Sequence, residues 1–159
     1  MDSTYEQLYP PSPTPDSETC QCANVPVKLM QALTYNPIHC MDCNLEVPPA
    51  RLGLDPDQVT AIVNWRSVYD AIDRLWLSSG DYEEWAFTQL VDLNSSVNQL
   101  GRKICNELQA TSRCYYWCFR NEDTIIQTCP LCEHPVEDYT SGRFQQKICR
   151  ECRLVFAGE

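Results

Sequence analysis

Cys129-Pro130-Leu131-Cys132 and Cys149-Arg150-Glu151-Cys152 are two Cys-x-x-Cys pairs separated by sixteen residues. Each pair sets two sulfurs on one tight turn. Two such turns facing each other supply the four corners that zinc prefers. The segment between them is suited to bring them together. Val136 and Tyr139 can lie on one strand, Thr140-Ser141-Gly142 has turn chemistry, and Phe144 to Ile148 reads as the returning strand. Arg153-Leu154-Val155-Phe156 can add a third strand after the second turn. The pattern predicts a zinc ribbon over residues 126–159. One structural Zn2+ would be held by Cys129, Cys132, Cys149 and Cys152. Four thiolates leave no position for a water, which makes the ion structural and not catalytic. A zinc deaminase would need His-x-Glu and Pro-Cys-x-x-Cys. Here Pro130 follows Cys129, and no His-x-Glu occurs. His134 is expected beside the turn and not as a ligand.

Outward from this module, the preceding sequence reads as mainly helical. Asp55 suits an N-cap, Pro56 a first helical position, and Gln58 the reciprocal place in a capping box. Val59, Ile62, Val63, Tyr69, Ile72 and Trp76 follow at three- and four-residue steps, broadened by Trp65, Val68 and Leu75. Ser78-Ser79-Gly80 ends that helix. A second is expected to open at Asp81, with Glu84 three residues on, and to run to about Val91. A third starts at Ser95 or Ser96 and carries Val97, Leu100, Ile104 and Leu108 on one face. Short connectors make the three helices neighbours. The patterns place Trp65, Trp76 and Trp85 in the core. The aromatic run Cys114-Tyr115-Tyr116-Trp117-Cys118-Phe119 reads as a strand, broken by Asn121-Glu122-Asp123. Val25 to Tyr35 reads equally as strand or short helix. Tyr9-Pro10-Pro11-Ser12-Pro13-Thr14-Pro15-Asp16 has four prolines and no core-forming run. The expected fold is therefore α+β: a disordered Pro-rich tail at 1–24, a small helical body at 25–125, and the ribbon at 126–159.

The chain has 159 residues and eleven cysteines, an odd number that forbids complete internal pairing. Met1-Asp2-Ser3-Thr4-Tyr5 offers neither a basic nor an apolar signal-peptide region, and no apolar run has the length of a membrane span. A cytoplasmic protein with no membrane association is the expectation. In that reducing setting clustered thiols read as metal ligands or buried small residues.

A second metal site can be drawn from Cys20, Cys22, Cys40 and Cys43, with seventeen residues between the two pairs. A second arrangement sets Cys40 and Cys43 against Cys114 and Cys118. A third gives Cys40 and Cys43 thioredoxin-like redox chemistry, which wants the pair at a helix N-terminus; the flanking Asn36-Pro37-Ile38-His39 and Asn44-Leu45 show no clear helix. Cys105 is expected in the core.

Net charge is −10; the first 128 residues hold 8 basic and 17 acidic side chains. Phosphate binding rests on Lys and Arg, so this balance argues against nonspecific nucleic-acid binding by the whole chain. A local contact through Arg143, Lys147, Arg150 and Arg153 stays open, with Tyr115, Tyr116 and Trp117 as stacking candidates. There is no Gly-rich phosphate loop, no His-x-x-x-His and no Gly-x-Ser-x-Gly, and no small-molecule cofactor is indicated.

Four stretches carry a resemblance. They are Asn36-Pro37-Ile38-His39-Cys40-Met41-Asp42-Cys43-Asn44, Asn64-Trp65-Arg66-Ser67-Val68-Tyr69-Asp70, Cys114-Tyr115-Tyr116-Trp117, and the ending from Cys149 through Phe156 to Glu159. Together they resemble an uncharacterised bacterial family described as zinc-ribbon-containing, with nucleic acid suggested as its ligand. The resemblance spans about residues 30–159, an extent taken from the domain reading above. It implies a ribbon whose metal-binding motif is matched at Cys129, Cys132, Cys149 and Cys152. The stretch from Glu137 to Val155 is also similar to the ribbon of general transcription initiation factors. Taken together, the sequence predicts a non-enzymatic zinc-ribbon binding or adaptor protein, with protein or nucleic acid as partner. The alternative is a thiol-redox or zinc-dependent enzyme using Cys40 and Cys43.

Overall fold

A computed structural model describes residues 3–8, 14–32, 34–109, 112–120, 125–140 and 142–158. The fold is mixed α+β. Strands β1 (Val27–Leu29) and β2 (Ile38–Cys40) precede helices α1 (Pro56–Ser78), α2 (Glu83–Val91) and α3 (Ser96–Leu108). Strands β3 (Cys114–Trp117), β4 (Glu137–Tyr139), β5 (Gln146–Cys149) and β6 (Leu154–Ala157) follow. All six strands form one sheet in the order β2-β1-β3-β6-β5-β4. β3 pairs in parallel with both β1 and β6, and the remaining pairs are antiparallel. The region expected as a helical body thus contributes half of the strands. The sheet runs from it into the C-terminal cysteine module without a break.

Local chemistry accounts for the helices. The Asp55 side chain accepts from the N–H of Gln58 (2.8 Å), and the Gln58 side chain accepts from the N–H of Asp55 (3.0 Å), the capping box expected there. Ser95 caps α3 through the N–H of Asn98. α2 differs from expectation. It starts at Glu83, and Glu83 reaches back to the N–H of Gly80, so Asp81 belongs to the turn and does not cap.

Alternate strand residues serve two apolar clusters. Val27, Leu29, Ile38, Cys114, Tyr116, Leu154 and Phe156 join the main core with Trp65, Ile62, Ile104 and Leu108. Tyr115, Ile148 and Val155, from the opposite parity, form a smaller cluster with Met41. Trp65 is fully buried and meets Tyr116 edge-on at 6.0 Å. Trp76 packs against Phe119 at 4.9 Å. Trp85 is 51% exposed, contrary to the core placement expected of it. Its helix is short and packs inward through Ala86 and Leu90, which leaves Trp85 on the outer side.

The N-terminal segment was expected to be a solvated tail. Its described part is packed instead: residues Ser3–Leu8 form a 3-10 helix, and Leu8 is fully buried. Leu8, with Tyr5 packed against the same core, anchors a segment that composition alone reads as a tail. Residues 9–13 of the proline-rich stretch lie outside the described residues. Among the described residues, no helix is long and apolar enough to cross a membrane.

Candidate metal centres

All eleven cysteines are free. Eight of them fall into two groups of four, Cys20-Cys22-Cys40-Cys43 and Cys129-Cys132-Cys149-Cys152. Within each group the sulfurs lie within 4.8 Å of one another, so each can hold a metal ion.

The C-terminal group is built from two turns. Residues 129–132 precede β4, where the N–H of Cys129 donates to His134 O (2.8 Å) and the N–H of Glu133 donates to Cys129 O (2.9 Å). Glu133 takes the left-handed conformation that lets the chain leave this turn (φ 61°). The second turn, residues 150–153, joins β5 to β6, whose register pairs Cys149 with Leu154. The N–H of Cys152 donates to Cys149 Sγ (3.4 Å), and Arg153 is again left-handed (φ 53°).

The N-terminal group repeats the first of these turns. β2 delivers Cys40; the N–H of Cys40 donates to Leu45 O (2.9 Å) and the N–H of Asn44 donates to Cys40 O (3.0 Å). These are the same two bonds, at the same offsets, that surround Cys129. Asn44, the residue after Cys43, is left-handed in the same way as Glu133 (φ 61°). Cys40 Sγ accepts from the N–H groups of Asp42 (3.3 Å) and Cys43 (3.5 Å). Two backbone donors aimed at one sulfur stabilise a thiolate there. The other half is different. Cys20 and Cys22 stand on a segment held by the N–H of Cys20 to Glu46 O (2.8 Å) and by a bridge between Thr19 and Glu46. The guanidinium of Arg51 donates to the carbonyls of both Cys20 and Cys22.

The donor sets fit a four-thiolate metal. Zinc–sulfur bonds of about 2.3 Å imply tetrahedral edges of about 3.8 Å, and Cys132 Sγ lies 3.6 Å from Cys149 Sγ. The electrostatics agree. Burial opposes ionisation of Cys20 and Cys129, but backbone N–H donors and neighbouring thiols outweigh it and pull both below the usual thiol range. Burial, joined by those neighbouring thiols, pushes Cys40 up, and Cys149 up to about 11. Thiols packed this closely cannot all ionise without a cation among them.

The remaining predicted residues separate. Cys114 does not approach Cys40; its Sγ lies 3.2 Å from that of Cys105, both buried between α3 and β3. Cys118 is buried beside the C-terminal group, where burial and then the nearby Cys129 and Cys149 push its thiol up, but it is not one of the four clustered sulfurs. His134 pairs with Glu151 (2.7 Å), which raises its pKa, and both are exposed. Cys132, His134 and Glu151 also come close enough to share an ion, but Cys132 already belongs to the four-sulfur group. The redox arrangement finds no helix: a turn and not a helix N-terminus follows Cys40, which is fully buried. Tyr116 is fully buried and Tyr115 nearly so, so neither offers a face for base stacking. Of the four basic residues, Lys147 binds Asp138 (2.8 Å) and Arg150 binds Glu137 (2.8 Å).

Sequence reasoning missed Arg51 and Lys28. Nothing local marks Arg51 as a clamp on the Cys20 segment. Lys28 is buried in β1, donates to Gln146 (2.7 Å) and sits over the ring of Trp117 (4.9 Å). A lysine between Val27 and Leu29 on a fully buried strand was the available signal.

No curated protein and no solved structure matches this chain. A family model matches residues 27–119, more than half of the 159. The match contains Cys40 and Cys43, all three helices and three of the four stretches that carried the resemblance. Cys20, Cys22 and the C-terminal four cysteines lie outside it. On that match, the chain belongs to the uncharacterised family described as a domain of unknown function, DUF2310.

Proposed function

We propose that this chain is a non-enzymatic, zinc-bearing adaptor whose partner is a protein. In this reading β4, β5, β6 and their turns are a zinc ribbon, and both four-cysteine groups hold Zn2+, a borderline-soft ion suited to thiolates. The observation that carries the reading is the closure of both groups. Each already presents four sulfurs within 4.8 Å, so a bound ion keeps no open position for substrate or water. The ions then supply cross-links and no chemistry.

Charge supports a protein partner over nucleic acid. The chain carries −10, and Lys147 and Arg150 are already paired with acidic neighbours. Leu77, Tyr82 and Trp85 stand exposed about the turn between α1 and α2, the residue types that protein contacts favour. A reducing, cytoplasmic setting suits eleven free cysteines.

The test is a titration of labelled single- and double-stranded oligonucleotides with the full chain between 50 and 200 mM salt, as order-of-magnitude conditions (roughly those of counterion-release experiments). The proposal expects no salt-dependent binding. A steep negative slope would replace protein with nucleic acid as the partner. An insulin-reduction assay covers the redox alternative: activity abolished by Cys43→Ser would overturn the non-enzymatic reading.

A further inference from the structure

The two cysteine groups are anchored in different ways. In the C-terminal group Cys149 and Cys152 belong to the β5–β6 hairpin, which residues 150–153 close, and the 129–132 turn is fixed by the isolated Thr128–Pro135 bridge ahead of β4. In the N-terminal group the ladder reaches Cys40, on β2, while the Cys20 segment has one isolated bridge, Thr19 to Glu46. Cys20 and Cys22 lie outside any named strand, separated by one residue where zinc chelates usually have two to four. Their segment is tied down by polar contacts: Cys20 to Glu46, Arg51 to the carbonyls of Cys20 and Cys22, and Thr14 to Glu46 (3.0 Å). The same segment supplies Ala23, Asn24 and Val25 as one wall of a cavity of about 550 Å3, whose other wall includes Val47, Leu52 and Arg113.

We propose that Cys20, Cys22, Cys40 and Cys43 form a releasable metal site, a latch that holds residues 14–26 on the sheet while Zn2+ is bound and frees them when it leaves. This rests on the reading that both groups take zinc. A metal joining Cys22 to Cys40 closes a loop of seventeen residues, so the ion carries much of the segment's ordering. Without it the polar ties compete with water, and Cys20, which is 1% exposed, loses the bond that sets it into the core. The C-terminal ion has less such freedom, because the β5–β6 hairpin holds Cys149 and Cys152, and the Thr128–Pro135 bridge with the backbone bonds about Cys129 holds the other turn. The fully packed chain is therefore the zinc-replete state, and freeing the segment uncovers Val47 and Leu52.

The experiment titrates the zinc-loaded full chain with EDTA, counting released zinc while amide exchange is mapped along the sequence. Two steps are expected. The first zinc to leave is accompanied by at least tenfold faster exchange over residues 14–26 and by no change over 129–157. Cys22→Ser should bind one zinc fewer and show the fast exchange from the outset. Loss of both ions in one step, or a first step that leaves 14–26 unchanged, overturns the latch. A wild-type chain with a single zinc that Cys22→Ser does not alter also overturns it, yet leaves the ribbon standing. A chain that takes up no zinc overturns the functional reading itself.

Discussion

The N–H of Tyr116 donates to the carbonyl of Arg153 at 2.8 Å, while the Tyr116 hydroxyl donates to Asn98 Oδ1 at 2.7 Å. One residue of β3 therefore ties the exit of the second cysteine turn to helix α3. Cys118 N–H continues the contact to Val155 O (2.9 Å). The C-terminal four-cysteine group and the helical core share a wall, and damage at either should be felt at the other.

Asn98 is 1% exposed, and its amide donates to the carbonyls of Gln89, Leu90 and Asp92 at the end of α2. Asn98→Ala removes all of these bonds together; Ser95 still donates to Gln89 O and Asp92 O, but Leu90 O and the Tyr116 hydroxyl lose the Asn98 partner. A loss of about 2–4 kcal/mol in denaturant unfolding is expected. Tyr116→Phe, which removes one bond and keeps the ring, should cost about 1 kcal/mol.

Gly101 lies on α3 where a side chain would meet the ring of Tyr116 and, at 2.7 Å, the indole nitrogen of Trp65. That indole already donates to Val97 O (3.1 Å), so it has no room to withdraw. Gly101→Ala should destabilise by about 1–3 kcal/mol despite the better helix propensity of alanine. A lowered thermal midpoint checks this.

Two of the three tryptophans whose patterns place them in the core, Trp65 on α1 and Trp85 on α2, should behave oppositely. Trp65→Ala empties the core and should cost about 3–5 kcal/mol. Trp85→Ala, on the exposed side of α2, should stay within about 0.5 kcal/mol in the same unfolding assay.

Burial lowers the pKa of Lys28 to about 8, opposed by the nearby cysteines Cys40 and Cys43. Its folded pKa lies below its unfolded one, so the unfolded chain binds the extra proton between about pH 8 and 10.5. Its contribution to stability is thus unfavourable below that window and is relieved as pH rises through it. Wild type should gain up to about 3 kcal/mol relative to Lys28→Met across the window, read from paired unfolding curves.

Much of this was legible because it is local. The capping box at Asp55, the strands around Gly142 and the Cys-x-x-Cys spacing each follow from residues a few positions apart. The Cys20-x-Cys22 and Cys40-x-x-Cys43 pairs were legible as partners, but only as one of three options. Their choice depends on Glu46 and Arg51, whose contacts with the Cys20 segment cross about thirty residues and leave no periodic trace. The parallel pairing of β3 with β6 is equally silent in sequence, which is why the ribbon at 126–159 reads there as a unit beside the helical body and not as part of its sheet. Trp85 misled because amphipathic spacing identifies a stripe without saying which helices are short enough to leave part of it outside.

If both closed four-cysteine groups hold a zinc ion, elemental analysis of the folded chain, purified without chelators, should find two zinc per chain. The count should fall to one in Cys40→Ser and to one in Cys149→Ser. A folded wild-type chain that carries no zinc, or a zinc content that neither substitution changes, would contradict the proposal.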